Sequence, residues 1–197
     1  MNDSNMFLKK YLDEQSSCLV SLTSQTSLIS SIVEKLLEGR ENGSRIFIMG
    51  NGGSSSTASH FVSDLLKTSI TKNTKRFDAT SLTDNIPVLT AWANDTSYEE
   101  IFSEQLKNFI KKRDIVIAFS GSGTSKNVVK ALKLARDSEA FSIGFTGKSG
   151  GEFPNLCDIC VKVPSTDMLT IESFHVMLCH IITSGIRQTG TPEFSYE

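Results

Sequence analysis

Residues 46–67 read IFIMGNGGSSSTASHFVSDLLK: an apolar run breaks at Asn51-Gly52-Gly53, three serines follow, and the apolar pattern resumes at helical spacing. Glycines directly after a strand permit a tight turn and close approach of backbone to a ligand. The free N–H groups opening the next helix attract an anion. His60 and Asp64, four residues apart, fall on one face of that helix, about one turn from the anion site. This junction predicts a small phosphorylated ligand with a metal or an acid–base pair beside it.

Outward from this stretch, short apolar runs alternate with helical patterns, the signature of parallel strands joined by helical crossovers. Strands are expected at 45–49, 77–81, 114–119, 141–145 and 158–163, and helices near 54–67, 86–93, 98–111, 124–137 and 168–187. That is an α/β fold with a doubly wound, five-stranded parallel sheet. Upstream, Leu8, Leu12, Leu19, Leu22, Ile29, Ile32, Leu36 and Leu37 recur at helical spacing. Such a stripe must pack on the domain or on a partner subunit. The expected organisation is a helical segment over 1–42, the α/β domain over 43–188 and a loose tail over 189–197, where Gly190 and Pro192 lie.

Composition narrows the function. With 197 residues, 39% of them hydrophobic, the chain can bury one domain core and carry a helical extension. A net charge of −2 supplies no global basic field for nucleic acid or an anionic membrane, so a phosphate site must be local. The opening MNDSNMFLKKYLDEQ has no signal-peptide apolar region, and no apolar run is read as approaching a membrane span, so a cytoplasmic protein is expected. Cys18, Cys157, Cys160 and Cys179 are too scattered for a disulfide framework. Cys157 and Cys160 match C-x-x-C, but no second pair stands at zinc-ribbon spacing.

A second strand-to-helix junction reads Ser120-Gly121-Ser122-Gly123-Thr124-Ser125-Lys126-Asn127. Hydroxyls and backbone N–H groups converge at such a turn and cradle a phosphate without a fixed cation. No Gly-Lys-Ser/Thr ends it, so it is not a Walker motif, and the third glycine of a dinucleotide fingerprint is missing.

Taken together, Gly50-Asn-Gly-Gly-Ser54 with His60 downstream, Ala93-Asn94-Asp95 followed by Tyr98-Glu99-Glu100, the serine loop, Phe145-Thr-Gly-Lys-Ser-Gly-Gly151, and Val163-Pro-Ser165 before a His-bearing helix resemble the phosphoheptose isomerase family of sugar isomerase (SIS) domains. The resemblance runs in order over about residues 5–188. It implies a flavodoxin-like strand order and a homotetramer that interconverts sedoheptulose 7-phosphate and D-glycero-D-manno-heptose 7-phosphate, commonly with zinc. It places phosphosugar contacts at Asn51, Gly52, Gly53, Asn94, Asp95, Ser120, Gly121, Ser122, Ser125 and Glu172, and metal and acid–base positions at His60, Asp64, Glu172 and His180. This chain has Asp64 where the family has glutamate, Glu172 where it has glutamine, and no arginine near Thr68 or at Thr170.

Two imidazoles and two carboxylates suit Zn²⁺ or another first-row divalent ion. Asp64 loses a methylene, withdrawing its carboxylate by roughly 1.5 Å, so a shorter base needs a shifted helix or a differently placed substrate. Eight residues separate Glu172 from His180, a rise of about 12 Å in one helix. Joint ligation then requires Glu172 at a frayed helix start or completion across a subunit interface. Asp64 and His180 are the expected base and acid. The competing readings are a non-catalytic SIS module binding a protein such as the replication initiator, and an isomerase for another sugar phosphate.

Overall fold

A computed structural model describes residues 3–195. Five parallel strands, β1 (Arg45–Gly50), β2 (Asp78–Ser81), β3 (Ile115–Ser120), β4 (Phe141–Thr146) and β5 (Ile159–Lys162), form one sheet in the order β2-β1-β3-β4-β5. The central strands are almost wholly buried, whereas edge strand β2 alternates between exposed and buried. Helices cover both faces, so continuous apolar runs such as IFIM and IVIAF can serve as strands.

One face is covered by α2 (Thr26–Asn42), α3 (Gly53–Ser63) and α8 (Met168–Arg187), which contribute Ile32, Leu36, Phe61, Phe174, Leu178 and Ile182 to the core. The opposite face carries α5 (Ser103–Lys107), α6 (Lys126–Asp137) and α7 (Phe153–Leu156), with Leu106, Val128, Leu132 and Phe153 buried. Helix α4 (Ile86–Asp95) follows β2; Asn85 caps it by accepting the Val88 N–H at 3.3 Å.

The first helix, α1 (Asp3–Leu22), buries only Cys18 and Leu22 among its described residues and leaves Met6, Phe7, Leu8, Leu12, Leu19 and Val20 exposed. A 3₁₀ turn, Thr23–Gln25, separates it from α2. There the hydroxyls of Thr23, Ser24 and Thr26 donate to carbonyls three residues back, competing with the helix ladder. Gln25 reaches edge strand β5, donating to the Lys162 carbonyl at 2.7 Å and accepting its N–H at 3.0 Å, which caps that edge.

Four features differ from expectation. The helix expected over 98–111 is a 3₁₀ turn at Tyr98–Glu100 followed by the five-residue α5. Its buried Gln105 spends its amide on the Leu82 and Ile101 carbonyls, and Asn108 turns back on the Glu104 carbonyl. Helix α7, with Pro154 in its first turn, was not anticipated. Helix α8 is long and apolar enough to cross a membrane, contrary to the reading that no run was. Nine of its residues, Thr170 to Ile186, are buried in the core, which accounts for its hydropathy. The tail, expected to be loose, folds back as far as it is described: Lys72 N–H donates to Thr191 O at 2.8 Å and Glu193 N–H to Ile70 O at 2.9 Å.

Candidate active site

The strand order reverses between β1 and β3, and open α/β sheets bind ligands outside the carboxyl ends of the strands at that point. Both glycine-serine junctions lie there. After β1, Ser54 N–H donates to Asn51 O at 3.0 Å and Ser55 N–H to Gly52 O at 2.9 Å as α3 begins. After β3, the Ser120 hydroxyl lies 3.1 Å from that of Ser125 and 3.5 Å from that of Ser122. Gly123 N–H donates to Ser120 Oγ and Thr124 N–H to Ser122 Oγ. Three hydroxyls and the start of α6 thus share one small volume, the arrangement that binds a phosphate.

The loop after β4 backs this cradle. Gly147 N–H donates to Gly121 O at 3.0 Å and Glu152 N–H to Gly123 O at 2.9 Å. Gly123 has φ +67°, and a Cβ there would meet Gly150 O at 2.2 Å. Only glycine accepts both the dihedral and the approach. Behind the cradle lies His175, fully buried against Phe119 and Phe145 with ring centroids at 5.6 and 6.3 Å. Neither of its ring nitrogens has a partner among the described residues. Burial pushes its pKa down to about 4, opposed in part by the neighbouring Thr146 backbone.

Asn127 and Tyr98, to which the sequence assigned no role, both bond to Asn51 of the first junction. The amides of Asn51 and Asn127 pair reciprocally at 2.9 and 2.8 Å, and the Tyr98 hydroxyl donates to Asn51 Oδ1 at 3.0 Å. The signal was Asn127 itself, a buried polar residue in a first helical turn, where its side chain needs a designated partner. Asn94 and Asp95 stand exposed at the end of α4 and bond to each other at 2.8 Å. They make no bond to either junction among the described residues.

Between α3 and α8 three donor groups converge. His60 Nε2 lies 2.7 Å from His180 Nε2, and Asp64 Oδ2 lies 3.4 and 3.9 Å from the two nitrogens. All three ligand atoms fall within 4.8 Å of one another. The imidazoles are about half exposed, but Asp64 is 6% exposed and its Oδ2 accepts no hydrogen bond from the described residues. A buried carboxylate oxygen left unpartnered beside two imidazole nitrogens is costly unless a cation or proton joins them, so the set fits a divalent metal.

Glu172 lies outside this cluster. Its carboxylate sits at the start of α3, where a Cβ on Gly53 would meet Oε2 at 2.4 Å, a position the helix dipole favours. The frayed helix start considered above is absent, because α8 runs unbroken from Met168 and Asp167 caps it through the Thr170 N–H at 2.8 Å. Glu172 and His60 line one groove of about 470 Å³ with Gly53 and Thr57. A cavity of about 540 Å³ opens on the other side of Asp64 and His180, walled by Thr68, Arg187 and Phe194. The C-x-x-C thiols are free; burial pushes Cys160 up to about 11 and Cys157 higher, opposite to a reactive thiolate.

Comparison with known proteins agrees with this geometry. The SIS domain model matches residues 10–147. A phosphoheptose isomerase of Helicobacter pylori is 36% identical over 184 residues, spanning 93% of this chain and 95% of that protein. The solved phosphoheptose isomerase of Francisella tularensis superposes with a TM-score of 0.88 at 28% identity, covering 94% of this chain and 98% of its own. The Neisseria gonorrhoeae enzyme superposes at 0.86 with 25% identity, covering 93% and 98%. This chain belongs to the phosphoheptose isomerase family of SIS-domain proteins.

Proposed function

We propose that the chain interconverts sedoheptulose 7-phosphate and D-glycero-D-manno-heptose 7-phosphate through an enediol. The observation that carries this reading is the buried, unpartnered Asp64 oxygen facing two imidazoles, in a fold whose strand-end crevice holds a serine phosphate cradle. Ser120, Ser122 and Ser125, with the N–H groups of Gly121 and the α6 start, anchor the phosphate. Asn51, Gly52, Gly53, Asn94, Asp95 and Glu172 are assigned to the sugar. Asp64 takes the C1 proton while His180 protonates O2, giving the enediol; the proton then returns to C2 as O1 loses its own and becomes the aldehyde oxygen. Proton and electron pair are conserved, and no redox partner is required.

His60, Asp64 and His180 would hold a divalent ion, with zinc the best match to two imidazoles and a carboxylate. Glu172, in the same groove as His60, is kept as a further donor. When bound, the ion polarises the substrate oxygens and stabilises developing oxyanion charge. Asp64 and His180 give the site a base and an acid that a pure scaffold does not need. The exposed apolar face of α1 supports assembly into the family's homotetramer, and we place the enzyme in the cytoplasm.

The test is direct assay of the purified chain with sedoheptulose 7-phosphate, before and after chelation and metal return. Conversion to the aldose that falls on chelation and recovers with Zn²⁺ is expected. Absence of product under all three conditions contradicts the assignment.

A further inference from the structure

Asp64 ends the α-helix that carries His60: its backbone is still α-helical and its N–H donates to the His60 carbonyl. At that residue the chain widens into a single π-helical turn, Asp64–Thr68, closed by Ser69 N–H donating to Asp64 O at 2.8 Å. Single π turns inside helices are rare and concentrate at functional sites. An aspartate carboxylate is two bonds from the backbone, so α3 on one side and this turn on the other set where the carboxylate lies.

Arg187 reaches the turn from the last turn of α8. Its Nη1 donates to the Thr68 carbonyl at 2.7 Å, and its Nη2 donates to the Phe194 carbonyl at 2.9 Å. The tail segment that leads into Phe194 is tied to the chain after the turn, through the isolated Thr71–Pro192 bridge and the main-chain bonds of Thr191 and Glu193. The Lys67 ammonium lies 4.5 Å over the Phe194 ring. Turn, tail and α8 are thereby joined at one guanidinium, and Asp64, His180, Thr68, Arg187 and Phe194 line the same cavity.

We propose that Arg187 is a positioning residue for the base: by bridging the Thr68 and Phe194 carbonyls it locks the π-helical turn that presents Asp64 to His60 and His180. The planar fork suits this task because it donates to two carbonyls in fixed geometry, which an ammonium does not do. The inference rests on Asp64 as the base of the proposed reaction, so its test includes a readout that needs no turnover.

The experiment compares wild type, Arg187→Ala, Arg187→Lys, Asp64→Glu and the double variant Arg187→Ala/Asp64→Glu. Steady-state kinetics with sedoheptulose 7-phosphate are paired with amide hydrogen exchange at Ser69, whose N–H closes the turn. Arg187→Ala is expected to lower kcat by about 10²-fold, the loss associated with ~1 Å misplacement of a reacting group, with little change in KM. Ser69 exchange should accelerate at least about tenfold, and Arg187→Lys should fall between wild type and Arg187→Ala in both readouts.

The double variant separates positioning from a structural role. In wild type the turn already presents the short side chain, so Asp64→Glu overshoots and loses turnover. In Arg187→Ala the relaxed turn withdraws the backbone, and the longer glutamate recovers part of kcat. Additive losses in the double variant, or wild-type kcat in both Arg187 variants, would overturn the proposal. If wild type itself shows no isomerisation, the functional reading fails, and Ser69 exchange alone decides whether Arg187 locks the turn: unchanged exchange in Arg187→Ala overturns it.

Discussion

The serine cradle and the histidine–carboxylate cluster belong to one proposed site, yet they are built in opposite ways. Every hydroxyl of the cradle's Ser120, Ser122 and Ser125 has a neighbour within the six residues 120–125, and main-chain bonds from the β4 loop buttress it. The cluster draws its three groups from two helices, His60 and His180 standing 120 residues apart in sequence, leaves a buried carboxylate oxygen unpartnered among the described residues, and adjoins a π turn that Arg187 bridges to the tail. A site that only holds an anion can be satisfied locally and stay rigid. One that moves protons needs groups whose bonding is incomplete until substrate or metal arrives.

The largest expected effect falls on the cluster. Asp64→Asn keeps an oxygen at that position and removes the proton acceptor, so kcat should fall by the ~10²–10⁴ of general acid–base catalysis, while the substrate-induced rise in melting temperature persists. Loss of both would merge the two regions into one cooperative unit.

Next in size is the buried histidine behind the cradle. The unfolded chain protonates His175 near 6.5, whereas the native fold resists until about 4. Its contribution is therefore intact above pH 6.5, declines by up to about 3 kcal/mol as pH falls from 6.5 to 4, and levels off below. His175→Leu should remove that decline, read as denaturant midpoints at pH 7 and pH 5. An equal pH dependence in the variant would show that the cradle's support does not rest on a neutral imidazole.

The cradle itself comes third. A ligand that binds only the native state stabilises it by about 2.7 kcal/mol at a hundredfold excess over its Kd. Ser122→Ala/Ser125→Ala should abolish the thermal shift given by sedoheptulose 7-phosphate, each variant being compared with its own unliganded melting temperature. A retained shift would place the phosphate elsewhere.

The smallest effect concerns assembly. Replacing exposed Phe7, Leu12 and Val20 with lysine should reduce the mass seen by light scattering while leaving the monomer fold intact by circular dichroism. A wild-type chain that scatters as a 21.6 kDa monomer with full activity would remove the partner subunit from the account.

The same contrast explains what could be read from the sequence. The strands and the two junctions follow from apolar runs meeting glycine and serine, patterns confined to a few residues each, and their positions agree to within one or two residues, whereas the strand order was implied by the family resemblance. His60 and Asp64 share a helix face, so their pairing was legible; His180 was placed by resemblance rather than by spacing. The π turn, the fate of Glu172 and the grip of Arg187 on the tail were not legible. The place of Glu172 beside Gly53 and the Arg187 bond to Thr68 join segments more than 100 residues apart, and LLKTS carries no glycine or proline to mark a change of helix type. The shortened side chain of Asp64 carried only the expectation of a shifted helix or a differently placed substrate, and the π turn begins at that residue.

The central claim is that Asp64 is the group that accepts the substrate proton, and exchange of that proton with solvent tests it most directly. Sedoheptulose 7-phosphate is incubated in D₂O with wild type and with Asp64→Asn at concentrations that saturate both, and deuterium at C1 of the recovered ketose is measured by NMR. The account predicts incorporation with wild type and a fall of at least about a hundredfold with Asp64→Asn, although that variant still binds the sugar. Incorporation by Asp64→Asn at the wild-type rate would contradict it.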